Sequence, residues 1–358
     1  MPLPKKDFEK LKQLRSVFDH NYRWTHLVSD LLSYAPAIIT KEMVDALTEG
    51  TSLSKEEAVR ALLSEVMGLR PEENTEDRIL QREYLFPSVR IFSPDRYQND
   101  SYVQNVSGRE IKNGKWEYTT QVYPPYRAAV AGDVETEADA LERMPLCFFD
   151  GEFSFFSVKE DGNEWMTLTP VDIDTCREAI DAAHGHVLTF GLGLGYYAYM
   201  AAEKDTVTSV TVVEKSRDVI EAFKSGILPR FPNREKITIV EADAFEYAEK
   251  VLPTEHFDLA FVDTWRDAGD GLPMYLRMKP LEKRSSGTKF LYWIENFLLS
   301  RLRSAVFEEI WEKESEAAHG DDGDVSFEDI KKSLSADGLR ALAAEGKAEV
   351  LNTFLEDA

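Results

Sequence analysis

Cysteine is nearly absent from this 358-residue sequence. Cys147 and Cys176 are the only two, which excludes a disulfide framework and a four-cysteine zinc site and fits a reducing cytosol. Positive charge is also scarce: 42 Lys and Arg stand against 65 Asp and Glu, for a formal net charge of −23. Such a balance repels nucleic-acid phosphates, and no basic patch offsets it. Long apolar runs are missing too, because Lys, Glu, Asp or Gly interrupts every rich stretch before the roughly 20 residues a bilayer crossing needs. The opening MPLPKKDFEKLKQL places charges where a signal peptide requires an apolar core, so the expected location is cytoplasmic, without membrane attachment.

What is present describes a globular chain, with 43% hydrophobic and 11% aromatic residues. Its length suits about two domains. Four stretches follow from the patterning: a helical region 1–83, a β-rich region 84–170, an α/β unit 171–311 and an acidic helical tail 312–358. In the first, FEKLKQLRSVF, WTHLVSDLLSYA and KEMVDALTE repeat apolar positions every three or four residues. Ser54 and Glu57 form an S-x-x-E capping signature before AVRALLSEVMGL, and Gly68 ends that helix.

Between 84 and 168 the period shortens, and YLFPSVRIF, SYVQNV, KWEYTTQVY, LCFFD, EFSFFSV and EWMTLTP read as strands of a small antiparallel sheet. Asp161–Gly162–Asn163 supplies a turn, and the Pro pair of YPPYR reads as another. In the tail, fifteen Asp or Glu oppose five Lys or Arg from residue 305 onward. There HGDDGD reads as an exposed loop; Asp321, Asp322 and Asp324 lack the twelve-position pattern of a calcium helix–loop–helix.

The α/β grammar is the strongest signal. HVLTF, SVTVVE, ITIVEAD, FDLAFVD and TKFLYWI are near-continuous apolar strands separated by helical segments, the signature of a buried parallel sheet. The first strand runs into Gly191, Gly193 and Gly195 before an amphipathic helix, a turn that lets backbone approach a ligand closely. Glu214 lies nineteen residues beyond Gly195, at the end of the second strand, where a carboxylate can accept from both ribose hydroxyls. Asp243, followed by Phe245, ends the third strand, and Asp263 ends the fourth. An acid after each successive strand favours a cofactor cleft over three unrelated helix caps.

This constellation resembles the class I S-adenosylmethionine-dependent methyltransferase superfamily, including spermidine-synthase-like aminopropyltransferases, over about residues 171–311. The resemblance implies an α/β, Rossmann-type methyltransferase-like sandwich carrying N-terminal helical and β-rich additions. It makes Gly191, Gly193 and Gly195 the cofactor-tail loop, Glu214 the ribose acceptor and Asp243 with Phe245 the adenine pair. It also makes Asp263 the candidate catalytic acid and Trp265 a substrate-side aromatic, which a packing wedge would explain equally well. Tyr196 in the sixth loop position departs from the dinucleotide G-x-G-x-x-G form.

The implied cofactor is S-adenosyl-L-methionine and the implied activity is methyl transfer to a small-molecule or protein acceptor. The alternatives are aminopropyl transfer and cofactor binding without turnover. Partners are the acceptor and neither nucleic acid nor membrane, with a homo-oligomer left open. His184, His186 and His256 read as structural or surface residues, and no metal cluster is expected. Two departures stand out: there is no Asn/Asp-Pro-Pro-Tyr motif after the fourth strand, and no strand pair is evident after Phe297.

Overall fold

The computed structural model describes residues 2–106, 110–138, 140–320, 323 and 325–346. Asp321, Asp322 and Asp324, named above for the calcium question, lie outside the described residues, as does the tail beyond Gly346.

Helices α1 (Lys5–Tyr34), α2 (Lys41–Thr48) and α3 (Lys55–Val66) open the chain. The Ser54–Glu57 capping box forms, with the Glu57 amide donating to Ser54 Oγ at 3.2 Å and the Ser54 amide donating to Glu57 at 2.8 Å. Gly68 takes a φ of 69° beyond the end of α3, the left-handed turn that stops a helix.

Among the described residues the β-rich region holds nine strands: β1 (Val89–Phe92), β2 (Ile111–Asn113), β3 (Trp116–Tyr123), β4 (Ala129–Val130), β5 (Glu135–Thr136), β6 (Glu142–Arg143), β7 (Leu146–Phe149), β8 (Phe153–Glu160) and β9 (Asn163–Thr167). An antiparallel sheet runs β2-β3-β8-β9 and a small second sheet runs β1-β7-β4, in which β1 and β7 are parallel. The β8–β9 hairpin turns on Asp161 and Gly162, with φ of 50° and 82°, the paired positive values that match strand twist.

Two expected strands differ. YLFPSVRIF is helical until Ser88 and extended only over Val89–Phe92. SYVQNV forms α4 (Ser101–Val106), because Asp100 Oδ1 accepts from the amides of Tyr102 and Val103 and so nucleates a helix.

From Pro170 the grammar proceeds as expected. Helix α5 (Pro170–Ala182) leads into β10 (Gly185–Phe190), α6 (Tyr196–Glu203), β11 (Val207–Glu214), α7 (Arg217–Gly226), β12 (Ile237–Glu241), α8 (Ala244–Lys250) and β13 (Leu259–Val262). Then come α9 (Ala268–Met278), β14 (Lys289–Tyr292), α10 (Glu295–Ser315), α11 (Phe327–Leu334) and α12 (Ala336–Glu345). The five strands are all parallel in the order β12-β11-β10-β13-β14. β10 is central, and its two neighbours connect in opposite directions, which opens a crevice beyond the strands' carboxyl ends. No further strand pairs with β14 among the described residues, and α10 to α12 follow it.

Alternation along each strand divides the core between two faces. Val187, Val210, Leu259 and Phe261 pack toward α5, α6 and α7 and into the same cluster as Tyr118, Phe149 and Phe155 of the β-rich region. Leu188, Phe190, Ala260 and Val262 pack toward α8, α9 and α10, together with Leu3, Leu11, Leu14 and Phe18 at the amino end. Strand β7 bridges to a third cluster: Cys147 and Phe149 join the first, while Leu146 and Phe148 pack with Trp24, Val59 and Tyr84.

Candidate functional site

A cleft of about 540 Å³ opens at the carboxyl ends of β10, β11, β12 and β13, a size suited to a nucleoside-bearing ligand. Gly191, Gly193, Glu214, Asp243, Phe245, Asp263 and Trp265 all line it. Gly195 does not. It is buried at the start of α6 with a φ of 75°, and a Cβ there would lie 2.4 Å from the Phe223 ring. That glycine lets α6 pack against α7; it makes no approach to the cleft.

The other two glycines serve close packing of backbone and side chain. A Cβ on Gly191 would stand 1.8 Å from the Asp263 carbonyl oxygen, so Gly191 lets the ends of β10 and β13 converge. A Cβ on Gly193 would meet Met166 Sδ at 2.3 Å. Met166 comes from β9, and its sulfur accepts the Leu194 amide at 3.3 Å. The β-rich region thus lies over the glycine loop. The Gly193 amide makes no hydrogen bond among the described residues and is a donor left for a ligand.

Glu214 braces the same loop. One carboxylate oxygen accepts the Leu192 amide at 3.2 Å and the other the Ser216 amide at 2.8 Å, leaving one lone pair on each for a diol. Asp243 caps α8, its Oδ1 accepting from the Phe245 and Glu246 amides at 2.9 and 3.1 Å, while Oδ2 accepts no hydrogen bond among the described residues. Phe245 is buried, with the Arg277 guanidinium 3.9 Å from its ring centroid.

Asp263 sits on the cleft floor, and its carboxylate accepts no hydrogen bond among the described residues. Burial, reinforced by the Asp172 charge, pushes it up to about 8. Asp172, also in the cleft, is pushed up to about 6 by burial, against the lowering pull of the Thr169 amide at 2.8 Å and the Thr169 hydroxyl at 2.7 Å. Two partly buried acids lining one cleft disfavour double ionisation unless a cation joins them. Six carboxylates line the cleft, from Glu164, Asp172, Glu214, Asp243, Asp263 and Asp270, against Lys215 and Arg266, and Arg266 is held by Asp270 at 3.1 Å.

Trp265 is a wedge: it is 5% exposed, stacks on Tyr292 with ring centroids 6.3 Å apart and presses on Gly271, yet its buried Nε1 has no hydrogen-bond partner among the described residues. The loop it belongs to ends in α9, which the Gly and Pro of AGDGLPMYLRM hide from periodicity. Asp267 and Asp270 form its capping box.

No protein-family profile matches this sequence, and no curated protein matches it. Among solved structures, a similarity exists to the spermidine synthase from Thermotoga maritima, at 18% identity and a TM-score of 0.28. The alignment covers 46% of this chain and 56% of that one, so the chain spans little more than half that structure's length. At that TM-score too little backbone superposes for the likeness to bear on activity.

Glu214 with a lone pair to spare on each oxygen, an Asp243 oxygen and a Gly193 amide without hydrogen bonds among the described residues, and an acid-lined cleft are groups that would suit an adenosyl sulfonium cofactor. Several contributors escaped the sequence reading, Glu164 and Asp172 among them. Trp165 and Met166 arrive from β9, and Trp293 lines the cleft while its Nε1 donates to Thr175 at 2.9 Å; each stands in a strand or strand end where an aromatic or methionine signals only core. His184, His186 and His256 are exposed. His186 bonds Ser209 at the amino end of β10, and His256 lies 3.6 Å from Asp258, remote from the cleft. No group of three metal-ligating side chains occurs among the described residues, and no helix is long and apolar enough to cross a membrane.

Proposed function

We propose that the cleft binds S-adenosyl-L-methionine and transfers its methyl group to a cationic amine acceptor, a small molecule or a protein side chain. The observation that carries this reading is the Asp172–Asp263 pair, unneutralised on the floor of a cleft that carries six carboxylates against two cations. When bound, the cofactor supplies an electrophilic carbon on a sulfonium, so the protein's task is alignment and proton removal. Glu214 holds the ribose, and the Gly193 amide and Asp243 orient the two ends of the nucleoside amino acid. Asp263 accepts the proton an ammonium acceptor must shed before its nitrogen lone pair can attack. Asp172 supports it by making a lone cation welcome between the two acids.

The same electrostatics favour a second reading, aminopropyl transfer from decarboxylated S-adenosylmethionine. That donor lacks the carboxylate which the acid-rich cleft, with Arg266 already paired, is poorly equipped to receive. Calorimetry with S-adenosylmethionine, its decarboxylated form and the demethylated product, followed by mass analysis of incubated diamines and lysine peptides, separates the readings. A methylated amine supports the first and an aminopropylated amine the second. Absence of binding by all three nucleosides to folded protein refutes both, and binding without product leaves a cofactor-binding protein.

A further inference from the structure

A second cavity is larger than the cleft. About 860 Å³ lies between the amino-terminal half of α1, the loop joining β5 to β6, α10 and the α11–α12 turn. It shares no lining residue with the cleft. Its walls combine hydrocarbon, from Leu14, Val17, Phe327 and Leu334, with positive charge from Lys10, Arg303 and Lys331. In a chain with a net charge of −23 three cations line this one cavity beside a single lining acid, Glu137, itself paired with Arg143; behind the wall Asp7 pairs with Lys10 and Glu142 with Arg303.

Arg303 is 3% exposed. Its Nε donates to the Leu334 carbonyl at 2.8 Å and its Nη1 meets Glu142, whose carboxylate also takes the Ser300 hydroxyl. The second terminal nitrogen, Nη2, makes no hydrogen bond among the described residues. A buried guanidinium holds its position at a desolvation cost, and its spare donors form the forked geometry that carboxylates and phosphates match. Lys331 is half-buried and makes no ion pair among the described residues. Lys10 already has Asp7 at 2.8 Å, so Arg303 and Lys331 are the two cations with donors to spare.

We infer that this cavity is a second binding site, for a small organic anion with an apolar body and a carboxylate or phosphate head. The head meets Arg303 and Lys331, and the body lies against Leu14, Val17 and Phe327. The volume falls within the range of ligand sites, and the mixture of a hydrocarbon lining with a few placed polar groups is what such sites use.

Displacement of a fluorescent probe, anilinonaphthalene sulfonate, from the full chain tests it. Dodecanoate or dodecyl phosphate should displace the probe saturably while dodecyltrimethylammonium does not; the relative strength of the two anions identifies the head. Val17→Trp, which fills the cavity, should abolish displacement. Lys331→Glu, at a half-buried position, should weaken it by about tenfold or more. Arg303 is left intact, since its removal strands Glu142. No saturable displacement, equal displacement by the cationic amphiphile, or undiminished displacement in a folded Lys331→Glu variant overturns the inference.

Discussion

Asp263 is the residue on which most depends. Its carboxyl is raised from 3.8 to about 8 in the folded chain, so folding favours the protonated acid and ionisation opposes it. The opposing contribution is absent below about pH 4, grows as pH rises and is complete above about pH 8. Asp263→Asn removes it, so urea midpoints measured from about pH 4 to about pH 9 should fall less steeply in the variant than in the wild type. On the proposed function the same change removes the proton acceptor. Product formation should drop by about 10²–10⁴-fold, while calorimetric affinity for the cofactor changes little, because Glu214, Asp243 and the Gly193 amide are untouched.

At the scale of elements, the glycine loop and β9 behave as one unit. Gly193→Ala places a Cβ at a φ of 49° against Met166, and the left-handed backbone alone costs about 1–2 kcal/mol. Met166→Ala in the same chain relieves the collision, so a double-mutant cycle in denaturant should show the pair to be less than additive. Gly195→Ala should lower stability as well, through Phe223, yet leave cofactor affinity of the folded fraction unchanged. The loop's three glycines were legible in the sequence as a turn, but not their individual tasks. A G-x-G-x-G spacing does not tell whether the missing Cβ faces a ligand, a carbonyl or a neighbouring ring. The five parallel strands were legible because each is a run rich in apolar and β-branched residues, buried throughout in β13 and over most of β10, although the edge strands β12 and β14 are largely half-buried or exposed. Helix α4 was not, because its Tyr and Val residues read as strand and only Asp100 signals the cap. Helix α9 escaped through its Gly and Pro. The contributions of Trp165, Met166 and Trp293 belong to tertiary docking, to which periodicity is blind.

The whole molecule is joined by shared cores more than by covalent order. One cluster mixes the β-rich sheet with one face of the parallel sheet, and another mixes Leu3, Leu11, Leu14 and Phe18 with the opposite face. Asp133, just before β5, receives the Asn296 and Phe297 amides at 2.8 and 2.9 Å and so fastens the start of α10 to the β-rich region. An excised fragment spanning 171–311 keeps the helices on both sheet faces but loses the β-rich residues and Leu3, Leu11, Leu14 and Phe18 that complete the two clusters; it should be insoluble or give collapsed amide dispersion in a proton–nitrogen correlation spectrum, whereas the full chain should be well dispersed. The pairing of Phe18 with Phe307, rings stacked 3.9 Å apart, adds a consequence in time. The two rings are made far apart in synthesis. At roughly 5–20 residues per second the leading helix waits on the order of tens of seconds for α10 to emerge, its apolar stripe open to any passing chaperone.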